Sequence, residues 1–284
     1  MTSDDVVRFW QPSPQAANEL ACAYLEIGRV RAHVHEEWQF AVAEGPGKLS
    51  VGAFRRYAAR PTDLTAVPPY DVHTEASGSG PPPRWRVLYV APSLVNRVYR
   101  AVGRGSVGPP RFSGPVLADP TAAAQLRELL QESEEGKIEG SEFLARALPW
   151  VETLLRRHAA DAPAPARMPA VERARTYLRD RPTQAVSLLE VGAIAGVTVS
   201  HLVRSFSRAV GLPPKSYHAQ VRLARARRLL AQGKSATWVA YECGFADQSH
   251  LSRRFKECVG LTPGVFQSQY RGGEVATGLD SNAA

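Results

Sequence analysis

The stretch "CGFADQSHLSRRFKECVGLTP", Cys243 to Pro263, decides how this chain is read. A polar run, Asp247-Gln248-Ser249-His250, opens directly into a basic helix in which Leu251, Phe255 and Val259 recur at a four-residue step. At about 100° per residue these three form one apolar seam, with Ser249, Arg253 and Lys256 on the opposite side. The seam requires a core beneath it. The charged face is left for something else.

The same pattern occurs twice. "SHLVRSFSRAVGLPPKSY", Ser200 to Tyr217, overlays "SHLSRRFKECVGLTPGVF", Ser249 to Phe266, at a period of 49 without a gap. Ser200, His201, Leu202, Arg204, Phe206, Val210, Gly211, Leu212 and Pro214 each return as the identical residue, and Tyr217 returns as Phe266. Upstream of each copy stands a shorter helix. Ser187 caps one carrying Leu188, Val191 and Ala195, with a turn at Gly196 and Thr198 as the next cap. Ser235 caps the other, with Val239 and Ala240 inward, a turn at Gly244-Phe245 and Asp247 as the next cap. Ala195 and Cys243, small residues before each turn, let the paired helices cross closely.

Each unit therefore reads as a helix-turn-helix, whose second helix enters the DNA major groove while the first lies across the backbone. Outward positions are Ser200, Arg204 and Ser207 in one unit and Ser249, Arg253 and Lys256 in the other, flanked by Val203, Gln248, His250 and Ser252. Arginine can bond guanine O6 and N7 together, and glutamine can do the same for adenine. Ser207, Arg208, Lys215, Arg254 and Lys256 suit phosphates, which position the protein without specifying sequence. Between the copies, Lys215 to Ser235 carries Val221, Leu223, Ala224, Leu229 and Leu230 on one stripe and is stopped by Gly233. A helix of about 16 residues spans ~24 Å, suited to holding two readers in major grooves about 34 Å apart.

Charge supports this division. The chain of 284 residues has a net charge of +8, but residues 169 to 271 hold 16 basic and 6 acidic side chains while residues 1 to 168 hold 19 of each. A compact basic region beside a neutral one is the footprint of phosphate binding. The length fits about two domains. "HAADAPAPARMPA", His158 to Ala170, reads as a linker, and Gly272 to Ala284 as a disordered tail. No apolar run approaches the ~18 residues of a membrane span, and the acidic N-terminus does not match a secretory signal, so a cytoplasmic protein is expected. Cys22, Cys243 and Cys258 are too few and too scattered for a disulfide framework or a four-cysteine zinc site.

On "VSLLEVGAIAGVTVSHLVRSF", "RLARARRLL" and "VAYECGFADQSHLSRRFKECVGLTP", the segment from residue 171 to 271 resembles the DNA-binding domain of the AraC/XylS family of bacterial transcription regulators. The resemblance implies two helix-turn-helix units joined by a rigid helix, asymmetric promoter sites, and activators that touch RNA polymerase. Ser200 and Val203 stand where some relatives carry larger readers. Upstream, "HVHEEWQFAVAEG", "GAFRRYAARPTDLTAVPPYDVHTEAS" and "RWRVLYVAPSLV" resemble the cupin-like β-barrel sensor of such regulators. In that reading residues 1 to 115 are the sensor, and alternation of Val30, Ala32 and Val34 with Arg31, His33 and His35 marks a strand. Residues 116 to 158 form two amphipathic helices, started by Asp119 and Pro120, that pack on the barrel or make a homodimer interface.

Cupins bind metal through His-x-His, a Glu four residues on, and a later His. Here His33, His35 and His73 are present but Gln39 replaces the Glu, so no metal and no cofactor are expected. A small effector contacting His33, His35, Trp38, Gln39, His73, Trp85 and Tyr89 is expected instead. The fold class is α+β: a cupin-like barrel with C-terminal helices, then an all-α DNA-binding domain. The leading function is a sequence-specific DNA-binding transcription regulator, not an enzyme. A metal-dependent cupin enzyme fused to a DNA-binding domain is the main alternative. A DNA-repair methyltransferase needs a reactive cysteine site, and Cys22 stands by itself.

Overall fold

The computed structural model describes residues 6–16, 19–26, 31–53, 55–77, 84–104, 108–160 and 168–270. Most of the expected linker, residues 161 to 167, and the expected tail lie outside the described residues. The N-terminal part contains β1 (Val6–Trp10), β2 (Leu20–Glu26), β3 (Trp38–Ala43), β4 (Gly47–Val51), β5 (Arg55–Ala59), β6 (Leu64–Val67), β7 (His73–Ser77) and β8 (Arg84–Val90). It continues through α1 (Pro92–Ala101), β9 (Arg111–Phe112), β10 (Val116–Leu117), α2 (Pro120–Glu134), α3 (Gly140–His158) and β11 (Ala159–Ala160). The C-terminal part is helical: α4 (Pro169–Arg179), α5 (Leu188–Ala195), α6 (Val199–Val210), α7 (Pro214–Ala231), α8 (Ala236–Glu242), α9 (Gln248–Val259) and α10 (Pro263–Tyr270).

Among the described residues three sheets build the sensor part: one of six strands in the order β1-β2-β8-β3-β6-β10, one of three in the order β5-β4-β7, and a two-stranded pair of β9 with β11. β3 is buried along its whole length, so its alternating side chains enter two different cores. Trp38, Phe40 and Val42 pack with α1, α2 and α3. Ala41 and Ala43 face the other way, into a core shared with Val87, Tyr89 and the helices α7 to α10. Trp85 of the large sheet lies against Gly47 of the small one, where a Cβ would come within 2.8 Å of its ring.

The apolar stripes of α2 and α3 are turned onto the large sheet: Leu126, Leu130, Phe143 and Val151 are buried there. Asp119 caps α2 by accepting from the Ala122 N–H at 2.9 Å and also accepts from His158 at the end of α3, 2.7 Å away. The expected strand through Ala32 to His35 does not form. Only His33 pairs, in a single antiparallel bridge to His73. The reason is local: His33 and His35 each bond a main-chain carbonyl two residues away, at Arg31 and Glu37, which diverts this segment from a ladder.

The two helical units dock on the sensor separately. Val34 and Val72 join Leu202, Phe206, Tyr217 and Val221 in one core. Phe9 and Tyr89 join Leu251, Phe255 and Phe266 in another. Gly211 ends α6 with φ 94°, and a Cβ there would meet the Gly52 carbonyl carbon at 2.7 Å, so glycine permits this approach to the β4–β5 turn. Among the described residues no single helix is long and apolar enough to cross a membrane.

Candidate nucleic-acid interface and effector cleft

All four caps expected for the helix-turn-helix units are made. Ser187 accepts from the Glu190 N–H, Thr198 from His201, Ser235 from Trp238 and Asp247 from His250, at 3.1, 3.3, 3.3 and 2.7 Å. Gly196 and Gly244 turn the chain with φ of 70° and 71°. Beneath α6 and α9, Leu202, Phe206, Leu251 and Phe255 are fully buried. The Phe206 ring meets Tyr217 and the Phe255 ring meets Phe266, edge-on at 5.5 and 5.4 Å. The duplicated sequence thus builds a duplicated aromatic anchor. Gly192, which the sequence reading passed over, allows α5 to approach the turn: a Cβ there would lie 2.9 Å from the Val197 carbonyl oxygen.

On the outer faces, Ser200, Arg204, Arg208, Lys215, Gln248, Ser249, Arg253 and Lys256 are exposed, while Val203, Ser207 and Ser252 are half-buried. Two residues carry ties that spacing did not reveal. The Gln248 Oε1 accepts from the Thr237 hydroxyl at 2.7 Å, which links the start of α9 to α8. The half-buried His250 places its ring edge-on against Phe245 at 5.5 Å, a packing contact within the turn. Trp238 and Tyr241 on α8 and Leu189 and Ile194 on α5 are exposed apolar side chains on the first helix of each unit.

Beneath α7 the sensor and the helical part enclose a cleft lined by Phe9, His33, Tyr89, Leu223, Arg227 and Val259. His33, His35, Gln39, His73 and Tyr89 come together at its sensor side. The His35 and Tyr89 rings meet edge-on at 5.3 Å, and His73 Nε2 lies 3.3 Å from Gln39 Oε1. Trp38 does not join them. It lies on the opposite face of β3, stacked on Phe40 and edge-on to Phe112. Trp85 is buried against Gly47, apart from the histidines.

Sequence reasoning missed Glu75, Arg227 and Glu37, of which Arg227 lines the cleft and the two carboxylates stand behind it. Glu75 is buried beside His73, accepts from the Gln39 amide at 2.7 Å and follows His73 by two, the spacing that keeps a strand side chain on one face. Arg227 of α7 pairs with Glu37 at 2.5 Å and lies 4.4 Å over the Tyr89 ring. Burial, with His73 adding to it, lowers the His33 pKa to about 4 and drives His35 well below its ordinary value. Burial alone would raise the Glu75 carboxyl, but His73, His33 and the Gln39 amide beside it hold it below the usual range. Burial pushes the Tyr89 phenol up to about 12.

A family model described as an AraC-like ligand binding domain matches residues 24–151, and one described as a helix-turn-helix domain matches residues 191–269. The chain is 29% identical over 224 residues to the uncharacterized transcriptional regulator YbfI of Bacillus subtilis, covering 76% of this chain and 79% of that protein. It is 35% identical over 74 residues to the transcriptional activator RhaS of Klebsiella pneumoniae, covering 26% of this chain and 27% of that one. Among solved structures, apo ToxT from Vibrio cholerae superposes with a TM-score of 0.53 at 14% identity, covering 93% of this chain and 96% of that chain. ToxT with an unsaturated fatty acid bound gives 0.53 at 13% identity, covering 95% and 97%. The likeness to ToxT is one of fold. With a ligand-binding match over the sensor, a helix-turn-helix match over the duplicated helices and a regulator related along most of its length, the chain belongs to the AraC family of DNA-binding transcription regulators.

Proposed function

We propose that Arg204 and Arg253 read base edges in two successive major grooves. Ser200, Val203, Gln248, Ser249 and Ser252 flank them, and Ser207, Arg208, Lys215, Arg254 and Lys256 hold phosphates. The observation that carries this reading is that the 49-residue repeat leaves Arg204 and Arg253 exposed over matching buried pairs, Leu202 with Phe206 and Leu251 with Phe255. α7, with 18 residues, spans about 27 Å between them. His250 serves the turn rather than the groove. One chain would then cover a site that usually needs two subunits.

The small-molecule effector enters the cleft lined by His33, Tyr89 and Arg227 and changes how firmly the sensor holds the DNA-binding helices. That hold is polar as well as apolar: Arg227 to Glu37 at 2.5 Å, Arg228 to Glu36 at 2.9 Å, and Arg175 to Asp71. The ToxT structure with a fatty acid bound supports a cavity in this fold that admits an organic ligand. We place the protein in the cytoplasm, acting without catalysis at promoter DNA and on RNA polymerase. A homodimer would use the outer faces of α2 and α3, where Leu144 and Leu148 are half-buried.

Selection from a randomised DNA pool tests the reading. The Arg253→Ala chain is expected to lose about 1–3 kcal/mol of discrimination at one base position, and Arg204→Ala the same at another about one helical turn away. Unaltered base preferences in both variants would refute these roles.

A further inference from the structure

Three imidazoles and a carboxylate converge at the sensor side of the cleft, and the bonds around them decide which atoms remain. His33 Nδ1 lies 3.0 Å from the Arg31 carbonyl, His35 Nδ1 2.6 Å from that of Glu37, and His73 Nδ1 2.9 Å from that of Asp71. A carbonyl only accepts, so each ring turns an Nδ1–H to it; that leaves a lone pair on Nε2 of neutral His33 and His35, while His73 Nε2 faces two further acceptors, Gln39 Oε1 at 3.3 Å and Glu75 Oε1 at 3.6 Å, between which an N–H or a cation belongs. His35 Nε2 and Glu75 Oε2 are buried and have no hydrogen-bond partner among the described residues. The ligand atoms of His33, His73 and Glu75 lie within 4.8 Å of one another; His35 stands farther out, its ring centroid 4.7 Å from that of His73 and 6.1 Å from that of His33.

Lone pairs and a carboxylate gathered out of water repel one another unless a cation lies between them. The backbone carbonyl behind each Nδ1–H is the support that metal-ligating histidines ordinarily have, since it fixes the tautomer and the ring plane.

We propose that His33, His35, His73 and Glu75 bind one divalent transition-metal ion of the zinc or iron(II) class. Three nitrogens and one carboxylate oxygen favour such ions over magnesium or calcium, which take oxygen ligands. Bonds of about 2.0–2.2 Å to one ion would draw these donors closer together than they now stand. The expectation of no metal rested on Gln39 standing where a carboxylate ligand would be. Glu75 supplies that carboxylate from β7, and the Gln39 amide instead holds Glu75 Oε1 in place at 2.7 Å. His33, half-buried and facing the cleft, gives the ion a way in.

The site also touches the hold on the DNA-binding helices. His35 bonds the main chain of Glu37, whose carboxylate grips Arg227, and packs on Tyr89, whose ring carries Arg227. Metal binding should therefore alter DNA affinity; this second step rests on the regulatory reading above, and the binding itself does not.

The test uses the full chain, stripped with a chelator and titrated with cobalt(II). One equivalent is expected to develop visible d–d bands that zinc abolishes, and the thermal midpoint should rise with metal. His33→Gln, at a half-buried position, and Glu75→Gln should each weaken cobalt binding on the order of 100-fold while keeping native circular dichroism. No d–d spectrum in the folded wild-type chain, or full binding in folded His33→Gln, would overturn the site. DNA affinity measured with and without zinc is the separate arm. If it is unchanged while one ion stays bound, the coupling alone is overturned.

Discussion

Replacing Arg227 by Met keeps an unbranched apolar stem and removes the guanidinium with its charge, so it probes the grip between sensor and DNA-binding helices. Arg227 is 8% exposed, lies 2.5 Å from the Glu37 carboxylate, and sits 4.4 Å over the Tyr89 ring. Removing one partner of a fully buried pair costs about 3–5 kcal/mol. Glu37 retains 23% side-chain exposure, so water recovers part of that loss, and about 2–3 kcal/mol is expected, with about 1 more for the lost cation–π contact. Glu37→Gln leaves Arg227 unpaired at a similar cost. If the two act as one unit, the double variant is less destabilised than the sum by about 2 kcal/mol. Denaturant unfolding of all four chains measures this coupling. Because 1.4 kcal/mol is a factor of ten, about 3 kcal/mol off the docking frees the helices on the order of 100-fold more often, visible as faster amide exchange in α7. Single-variant losses that simply add, with α7 exchange unchanged, would refute the idea that this pair holds the domains.

Truncating Phe206 or Phe255 to Ala should cost about 3–5 kcal/mol, because each ring is fully buried against an aromatic partner; unfolding midpoints of both variants check this. Lys256→Ala should weaken binding to all DNA sequences alike and reduce the slope of log affinity against log salt by about 0.9, measured by titration across salt concentrations. Gly211→Ala should both strain the left-handed end of α6 and push a methyl into Gly52, so it should undock α6 from the β4–β5 turn, read as faster amide exchange there. Burial works to raise the Asp119 carboxyl, but His158, the Ala122 N–H and Arg157 outweigh it and hold the pKa below its ordinary value. Its contribution is therefore complete above the unfolded pKa near 4 and is lost as pH falls through the lower folded value. Asp119→Ala should cost about 1 kcal/mol or somewhat more at neutral pH, and the gap from wild type should close as pH falls through the lowered folded-state value.

The duplicated helices were legible because their signals are local. Ser187, Thr198, Ser235 and Asp247 each cap a helix through a bond only three residues long, and the Leu251–Phe255 step needs nothing distant to be read. The cleft was legible only in part. His33, His35 and His73 announce themselves by residue type, but Arg227 meets Glu37 across 190 positions and neither carries a mark of it. Trp38 was misassigned because β3 is buried on both faces, so alternation separates its side chains into two sets without saying which set meets a cavity. Glu75 carries no mark in the spacing after His35, because this carboxylate comes from β7, the strand of His73. The strand expected at His33 to His35 gave way because side-chain bonds to Arg31 and Glu37 compete with the sheet.

Hydroxyl-radical footprinting and base-methylation interference on a selected site test most directly whether one chain reads two grooves. Two protected patches on one face of the duplex, about 10–10.5 base pairs apart, are expected, with Arg204→Ala erasing the base contacts of one and Arg253→Ala those of the other. A single patch bound by one chain, or two patches indifferent to both substitutions, would contradict it.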